Sequence, residues 1–167
     1  FRDCEFFGNR ASIFVYGFGT NSLSRFINNV VDDAYIWMDV EAAAGTTIEV
    51  RNNLFITRSA GWGNEIWDWE TGGMVIKDNV FDRGFVFIGG DMGHNAYLNG
   101  CEVWSDIQTN DHVLTNFTWC AGPLGNYYQS PTSALINSGS QTASASGLYH
   151  YTATTNLIGG WQIKETN

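Results

Sequence analysis

The sequence predicts an all-β protein built as a solenoid of short strands, about five coils followed by an irregular C-terminal segment. Three observations carry this. One apolar-Asn-apolar phrase recurs along the first 120 residues. The composition is that of a strand-rich chain, with 15% charged residues, 15% aromatics and 19 glycines. The recurring segments alternate in short Val, Ile and Phe runs and lack the 3.6-residue periodicity of a helical repeat.

The copies fall in order. "FRDCEFFGN" occupies 1–9, "RFINNVVDD" 25–33, "IEVRNNLFI" 48–56 and "MVIKDNVFD" 74–82. "AYLNGCEVW" at 96–104 and "VLTNFTWC" at 113–120 are looser. With Cys4, Asn29, Asn53, Asn79 and Gly100 taken as equivalent, the steps are 25, 24, 26 and 21 residues. Each of the first four copies is followed by a second apolar run: "SIFVYGF" at 12–18, "AYIWMDV" at 34–40, "NEIWDWE" at 64–70 and "GFVFIGG" at 84–90. Every coil therefore supplies at least two strands separated by Asn, Asp or Gly turns. Stacked coils would pair like strands in parallel sheets, about 4.8 Å apart. Leucine-rich repeats are excluded, since Leu is sparse and no LxxLxL phrase occurs.

The "INNVV", "RNNLF" and "KDNVF" phrases resemble the coil motif of right-handed parallel β-helix proteins, the pectin-lyase-like superfamily. The resemblance covers residues 1 to about 120 and implies a right-handed parallel β-helix in which Asn29, Asn53 and Asn79 stack as a ladder at a tight turn. Asn suits that role because it tolerates left-handed backbone angles and its amide both donates and accepts. From Ala121 the pattern changes, and both prolines, Pro123 and Pro131, lie beyond it. "SALINSG" at 133–139 and "GLYHYTATTN" at 147–156 resemble closing phrases of large secreted bacterial β-helix proteins. The resemblance implies coils over 1–120, a C-terminal capping segment over 121–167, and a secreted or cell-surface location. The start at Phe1, without Met, is read as that of a piece of a longer chain or a processed product.

Charge bounds the partners. The net charge of −9 argues against nucleic acid, whose phosphates need clustered cations. No run of 18 apolar residues exists to span a membrane as a helix. Cys4, Cys101 and Cys120 are too few for a disulfide scaffold, although Cys101 and Cys120, one short coil apart, are expected to lie near each other. Asn116-Phe117-Thr118 is a glycosylation sequon.

The candidate chemistry is of two kinds. Asp32 and Asp33 follow an "NNVV" phrase, and the resemblance implies paired aspartates for glycoside hydrolysis. The companion phrases "NTD", "GHG" and "RIK" are absent. A lyase would need Ca held by carboxylates and a base, for which Asp78, Asp82 and Arg83, or Asp91 and His94, are candidates. Glu65 and Asp68 would line the same cleft. All of these residue types also serve as turn formers or surface ion pairs. The favoured expectation is no catalytic residue, no metal and no cofactor in this segment; the alternative is a polysaccharide lyase or glycoside hydrolase using Asp32, Asp33, Asp82 and Arg83.

The stronger signal is aromatic. Along the second strands, one alternate set holds Tyr35, Trp37, Trp67, Trp69, Phe85 and Phe87, and the other holds Ile36, Met38, Ile66, Val86 and Ile88. Successive side chains point to opposite faces, so both faces are apolar. With the aliphatic set inside, an aromatic ladder lies outside, as a sugar-stacking platform or a self-association surface. With the aromatics inside, the aliphatic face would need a cover. The expected role is structural or adhesive, through polysaccharide or self-association.

Overall fold

The computed structural model describes residues 1–8, 12–17, 21–40, 45–58, 63–68, 73–122, 125–147, 150–153 and 162–165, with backbone alone at 12–17, 39–40, 65, 67–68, 150–153 and 162–165. The chain divides into two units, Phe1–Phe117 and Thr118–Asn167. No helix occurs among the described residues, hence none long and apolar enough to cross a membrane.

The first unit is all-β and its sheets are parallel. One sheet holds, in hydrogen-bonded order, β1 (Glu5–Phe7), β4 (Val30–Asp32), β7 (Leu54–Ile56), β10 (Val80–Asp82), β13 (Ala96–Leu98) and β15 (His112–Leu114). A second holds β2 (Ser12–Gly17), β5 (Tyr35–Val40), β8 (Gly63–Asp68), β11 (Phe85–Ile88) and β14 (Glu102–Val103). A third holds β3 (Leu23–Ile27), β6 (Thr47–Arg51), β9 (Met74–Lys77) and β12 (Asp91–Gly93). From β1 to β14, consecutive strands go to different sheets and every third strand returns to the same one. Each repeat thus has three strands where the apolar runs had suggested at least two.

The turn between the third sheet and the first explains the recurring phrase. Two consecutive residues divide the work. Asp3, Asn28, Asn52, Asp78 and His94 take positive φ, between 54° and 62°. These are residue types that tolerate the left-handed region. The next residue, Asn29, Asn53, Asn79 or Asn95, is buried and faces its counterparts. The left-handed angle expected at the ladder Asn itself therefore falls one residue earlier.

The register also corrects the fifth repeat. Val80 pairs with Ala96, so Asn95 and not Gly100 is equivalent to Asn79. The step is 16 residues, and the next, to Asp111, is again 16. The repeat shortens in part because β11 reaches β12 through Gly89 and Gly90 alone, and in part because β11 is shorter than β5 and β8, and β12 shorter than β6 and β9. Gly90, at φ 125°, lies so close to β9 that a Cβ there would sit 2.6 Å from the Met74 carbonyl oxygen.

The core fills by register. Phe55, Phe81 and Tyr97 occupy one position of the first sheet, where β4 has Val31 and β1 has Phe6. Val50, Ile76 and Met92 occupy the matching position of the third sheet, where β3 has Phe26. Phe26 bridges the gap left at Val31. The rings run Phe6–Phe26 at 5.6 Å, Phe26–Phe55 at 6.2 Å, Phe55–Phe81 at 4.9 Å and Phe81–Tyr97 at 5.8 Å, all near-parallel. An aromatic pair of this kind adds about 0.5–1.5 kcal/mol beyond its buried area.

In the second unit, β16 (Cys120–Gly122) and β17 (Gly125–Tyr128) pair antiparallel, as do β18 (His150–Ala153) and β19 (Gln162–Glu165). Gly122 admits the Tyr128 ring where a Cβ would lie 2.2 Å from it.

The exchanged pair at Phe26 and Val31 gives a test. Val31→Phe alone should cost about 1–3 kcal/mol by overpacking, and Phe26→Val alone about 2–3 kcal/mol by leaving a cavity. The double exchange restores the arrangement of the later repeats, so denaturant titration should show it less destabilised than the sum of the single changes.

Candidate binding face

The second sheet sorts its two alternate sets by chemistry. Ile36, Met38, Ile66, Val86 and Ile88 are buried in the core, while Tyr35, Trp37, Phe85 and Phe87 are half-buried on the opposite side. The aliphatic set is inside because it stacks on itself in register: Met38 pairs with Ile66, and Ile66 with Ile88. At the alternate positions the backbone register pairs Phe14 with Trp37, Trp37 with Glu65 and Glu65 with Phe87. Trp69 and the side chains of Phe14, Glu65, Trp67 and Asp68 lie outside the described residues.

One ring of this face escaped the sequence reading. The Trp104 amide donates to the Val86 carbonyl at 2.9 Å, which carries the parallel pairing one residue past β14 and sets Trp104 beside Phe87. Its indole stacks on Phe85 at 4.7 Å with an interplanar angle of 13° and is 57% exposed. The signal was present in "EVW", an acidic-apolar-aromatic alternation, but the repeat had been aligned on Gly100 rather than Asn95. Gly63 makes room on the other flank, since a Cβ there would lie 2.6 Å from Phe85 Cγ. Ser105 closes the sheet: its hydroxyl oxygen accepts from Ile88 N at 2.9 Å.

Asn64 is the exception inside. It pairs in register with Ile36 and Val86, is buried, and its Oδ1 has no hydrogen-bond partner.

The ladder residues are joined in series. Asn29 N and Nδ2 donate to Asn53 Oδ1 at 2.9 and 3.0 Å, and Asn53 N and Nδ2 to Asn79 Oδ1 at 3.1 and 2.9 Å. Asn79 N and Nδ2 donate to Asn95 Oδ1, both at 3.1 Å, and Asn95 N donates to Asp111 Oδ1 at 2.8 Å. Cys4 opens the series, its amide donating to Asn29 Oδ1.

The acidic candidates are engaged otherwise. Asp32 and Asp82 share one register position with Ile56 between them, roughly 10 Å apart. That separation is beyond a retaining pair and near the upper end for an inverting one. Each carboxylate, however, is bound by an arginine. Arg58 grips Asp32 through Nε and Nη2, the latter at 2.6 Å. Arg83 grips the fully buried Asp82 through both at 3.2 Å, and Asn99 Nδ2 donates to it at 2.9 Å. Asp33 and Arg83 are turn residues at φ 58° and 65°, and Asp33 Oδ1 accepts from Arg58 N. Arg51 pairs with Asp78, and Lys77 with Asp91. No group of three His, Cys, Asp or Glu among the described residues is arranged to hold a metal.

Cys4, Cys101 and Cys120 are unbonded thiols. Their expected nearness, Cys101 to Cys120, rested on a spacing of one short coil, 19 residues, whereas the strands just before Cys101 pair at a step of 16, Leu98 with Leu114. Burial, reinforced by the charges of Asp82 and Glu102, pushes the Cys101 thiol from its ordinary 9.0 up to about 12. Burial, then Asp111, raises the Tyr97 hydroxyl well above the usual phenol range.

No protein-family model, curated protein or solved structure matches this chain.

Two consequences follow for Cys101. Alkylation near neutral pH should label exposed Cys120 first and Cys101 last, the thiolate being the reactive form. Its raised native pKa makes the linked stability fully present below about pH 9 and lost as pH rises toward 12. Replacing Cys101 with Ala should flatten that alkaline limb of a stability–pH profile.

Proposed function

We propose that the chain is a right-handed parallel β-helix segment of a secreted or cell-surface protein, with an adhesive or structural role exerted through polysaccharide stacking on the aromatic face. Three parallel sheets that take strands in rotation, and a buried amide ladder at one turn, support the β-helix reading. The observation that carries the function is the sorting of the second sheet: aliphatic residues inside, and outside a row of rings ending in the stacked and exposed Trp104. Aromatic faces suit sugar rings because they offer broad apolar contact at small conformational cost. The hydrolase and lyase alternative is less well supported, since Asp32, Asp82, Asp78 and Asp91 all sit in ion pairs.

Binding to a panel of soluble and insoluble polysaccharides tests this reading. At least one should be retained, and Trp104→Ala should weaken it about tenfold, the loss of one well-stacked ring, with a melting temperature close to that of the parent. Unchanged binding of every sugar by Trp104→Ala removes the platform.

A second reading, self-association, rests on a different place. β1, β2 and β3 each stand at the edge of their sheet, and Phe1, Phe7 and Leu23 are exposed there. Parallel edges with apolar side chains accept further strands, whether from the same chain or from another copy. Sedimentation should then show concentration-dependent, open-ended assembly that Phe7→Lys suppresses; a monodisperse monomer at all concentrations would dismiss it.

A further inference from the structure

The five strands of the aromatic sheet contain no Lys or Arg. Carboxylates stand among their aromatic positions. Glu65 pairs in register with Trp37 and with Phe87, Asp39 with Trp67, and Glu102 with Phe85. Glu102 is exposed two residues before Trp104, and Asp106 is exposed two residues after it. Of the arginines at the turns leading into this sheet, Arg58 and Arg83 are each held by a carboxylate of the neighbouring sheet, and Arg10 lies outside the described residues. The register thus sets negative charge among rings on strands that carry no Lys or Arg.

We infer that the ligand of this face is a cationic polysaccharide, a polymer of amino sugars with free amines, and not a neutral or uronic one. This rests on the carbohydrate reading above and narrows it. An ammonium group is attracted to the negative face of an aromatic ring, Trp most strongly, and to a neighbouring carboxylate. A polyuronate would meet exposed Glu102 and Asp106 with like charge and find no Lys or Arg on the five strands to offset it. A polymer running across the strands crosses a side-chain position about every 4.8 Å. It passes the register positions of Trp37, Glu65, Phe87 and Trp104 in turn. Amines repeated along one chain can meet exposed Glu102 and Asp106 on either side of Trp104 while a sugar ring covers the indole, which a single amine would not.

Calorimetric titration of the full chain with glucosamine oligomers, their N-acetylated counterparts and oligogalacturonate tests the inference at mildly acidic pH. A lysine oligomer of equal charge serves as control. The glucosamine oligomer should bind, the N-acetylated one at least tenfold more weakly, and oligogalacturonate and lysine oligomer not at all. Added salt should weaken binding. Glu102→Gln should weaken it about threefold and Trp104→Ala about tenfold, with unchanged melting temperatures reporting intact folds. Equal binding of the free and N-acetylated oligomers, indifferent to Glu102→Gln, overturns the cationic inference and leaves the sugar platform standing. Binding of the lysine oligomer in preference to the sugar, or of no oligomer at all, overturns both.

Discussion

Everything in the first unit depends on the buried amide ladder at the turn between the third and first sheets. A tight turn that enters the core carries backbone N–H groups that would be costly to bury unpaired, about 1–3 kcal/mol each. Here each ladder residue's amide N–H donates to the side chain of the next repeat. The side-chain amide adds a second bond in the same direction from Asn29 to Asn95, and from Asn53 onward its Nδ2 also reaches a carbonyl of the preceding repeat: Phe26, Val50, Ile76. The series therefore has a polarity. It can begin at a residue that only gives its backbone amide, such as Cys4, and must end at a side chain that only accepts. Asp111 is that end: Oδ1 takes Asn95 N, and Oδ2 takes Gln108 N at 2.9 Å. A carboxylate in mid-ladder would lack the donor for the next step, and an amide at the end would aim one where none is needed.

The ladder fixes register, and register decides what the core can hold. With strands about 4.8 Å apart, equivalent side chains are forced into contact, so flat rings stack with small offsets. Inside the stack one ring per repeat is accommodated. The repeats of Phe55, Phe81 and Tyr97 place it on the first sheet and an aliphatic residue on the third; the repeat holding Phe26 and Val31 reverses the assignment and keeps the ring column unbroken, and the repeat of β1 has a ring at both places, Phe6 and the exposed Phe1. The core thus conserves volume per repeat rather than residue type per position, as close packing requires. It also explains why the second sheet turns its larger aromatics outward. The ring already supplied by the first or third sheet leaves Ile, Met and Val as the fillers that fit opposite it.

Much of this was legible in the sequence. The apolar-Asn phrases located the turn, and the alternation after it separated Ile36 and Met38 from Tyr35 and Trp37. What was missed follows from reading Asn as one function. In Asn28-Asn29, Asn52-Asn53 and Asp78-Asn79 the first residue supplies the left-handed angle and the second the ladder. Read as a pair, the same signal is present in His94-Asn95, and Asn110-Asp111 repeats its residue types, with the ladder acceptor at Asp111 but no left-handed angle at Asn110, so the two shortened repeats would have aligned. Spacing obscured it, because the step falls to 16 residues when Gly89-Gly90 replaces the longer connections between the second and third sheets. The inner aromatic column was hidden for a different reason: its members alternate between two sheets, which no single-strand pattern records. Asp32 and Asp82 looked like chemistry because a carboxylate pair and an arginine pair are indistinguishable in sequence until partners are known.

The distribution of charge follows from the same architecture. Parallel stacking puts equivalent outward positions side by side, so a row is stable only if its members attract or at least do not repel. The third sheet relieves repulsion with opposite charges: Arg25 meets its register partner Glu49 at 2.8 Å, while Arg51 and Lys77, neighbours in register, each pair with an acid, Asp78 and Asp91. The register of the second sheet instead sets Asp39, Glu65 and Glu102 beside aromatic residues, on strands that contain no Lys or Arg. The two sheets differ in that respect although they are built from the same repeats. The chain's net charge of −9 is thus not spread evenly as a solubilising coat, since the described Lys and Arg of the β-sheet unit sit in ion pairs and none of them lies on a strand of the ringed sheet.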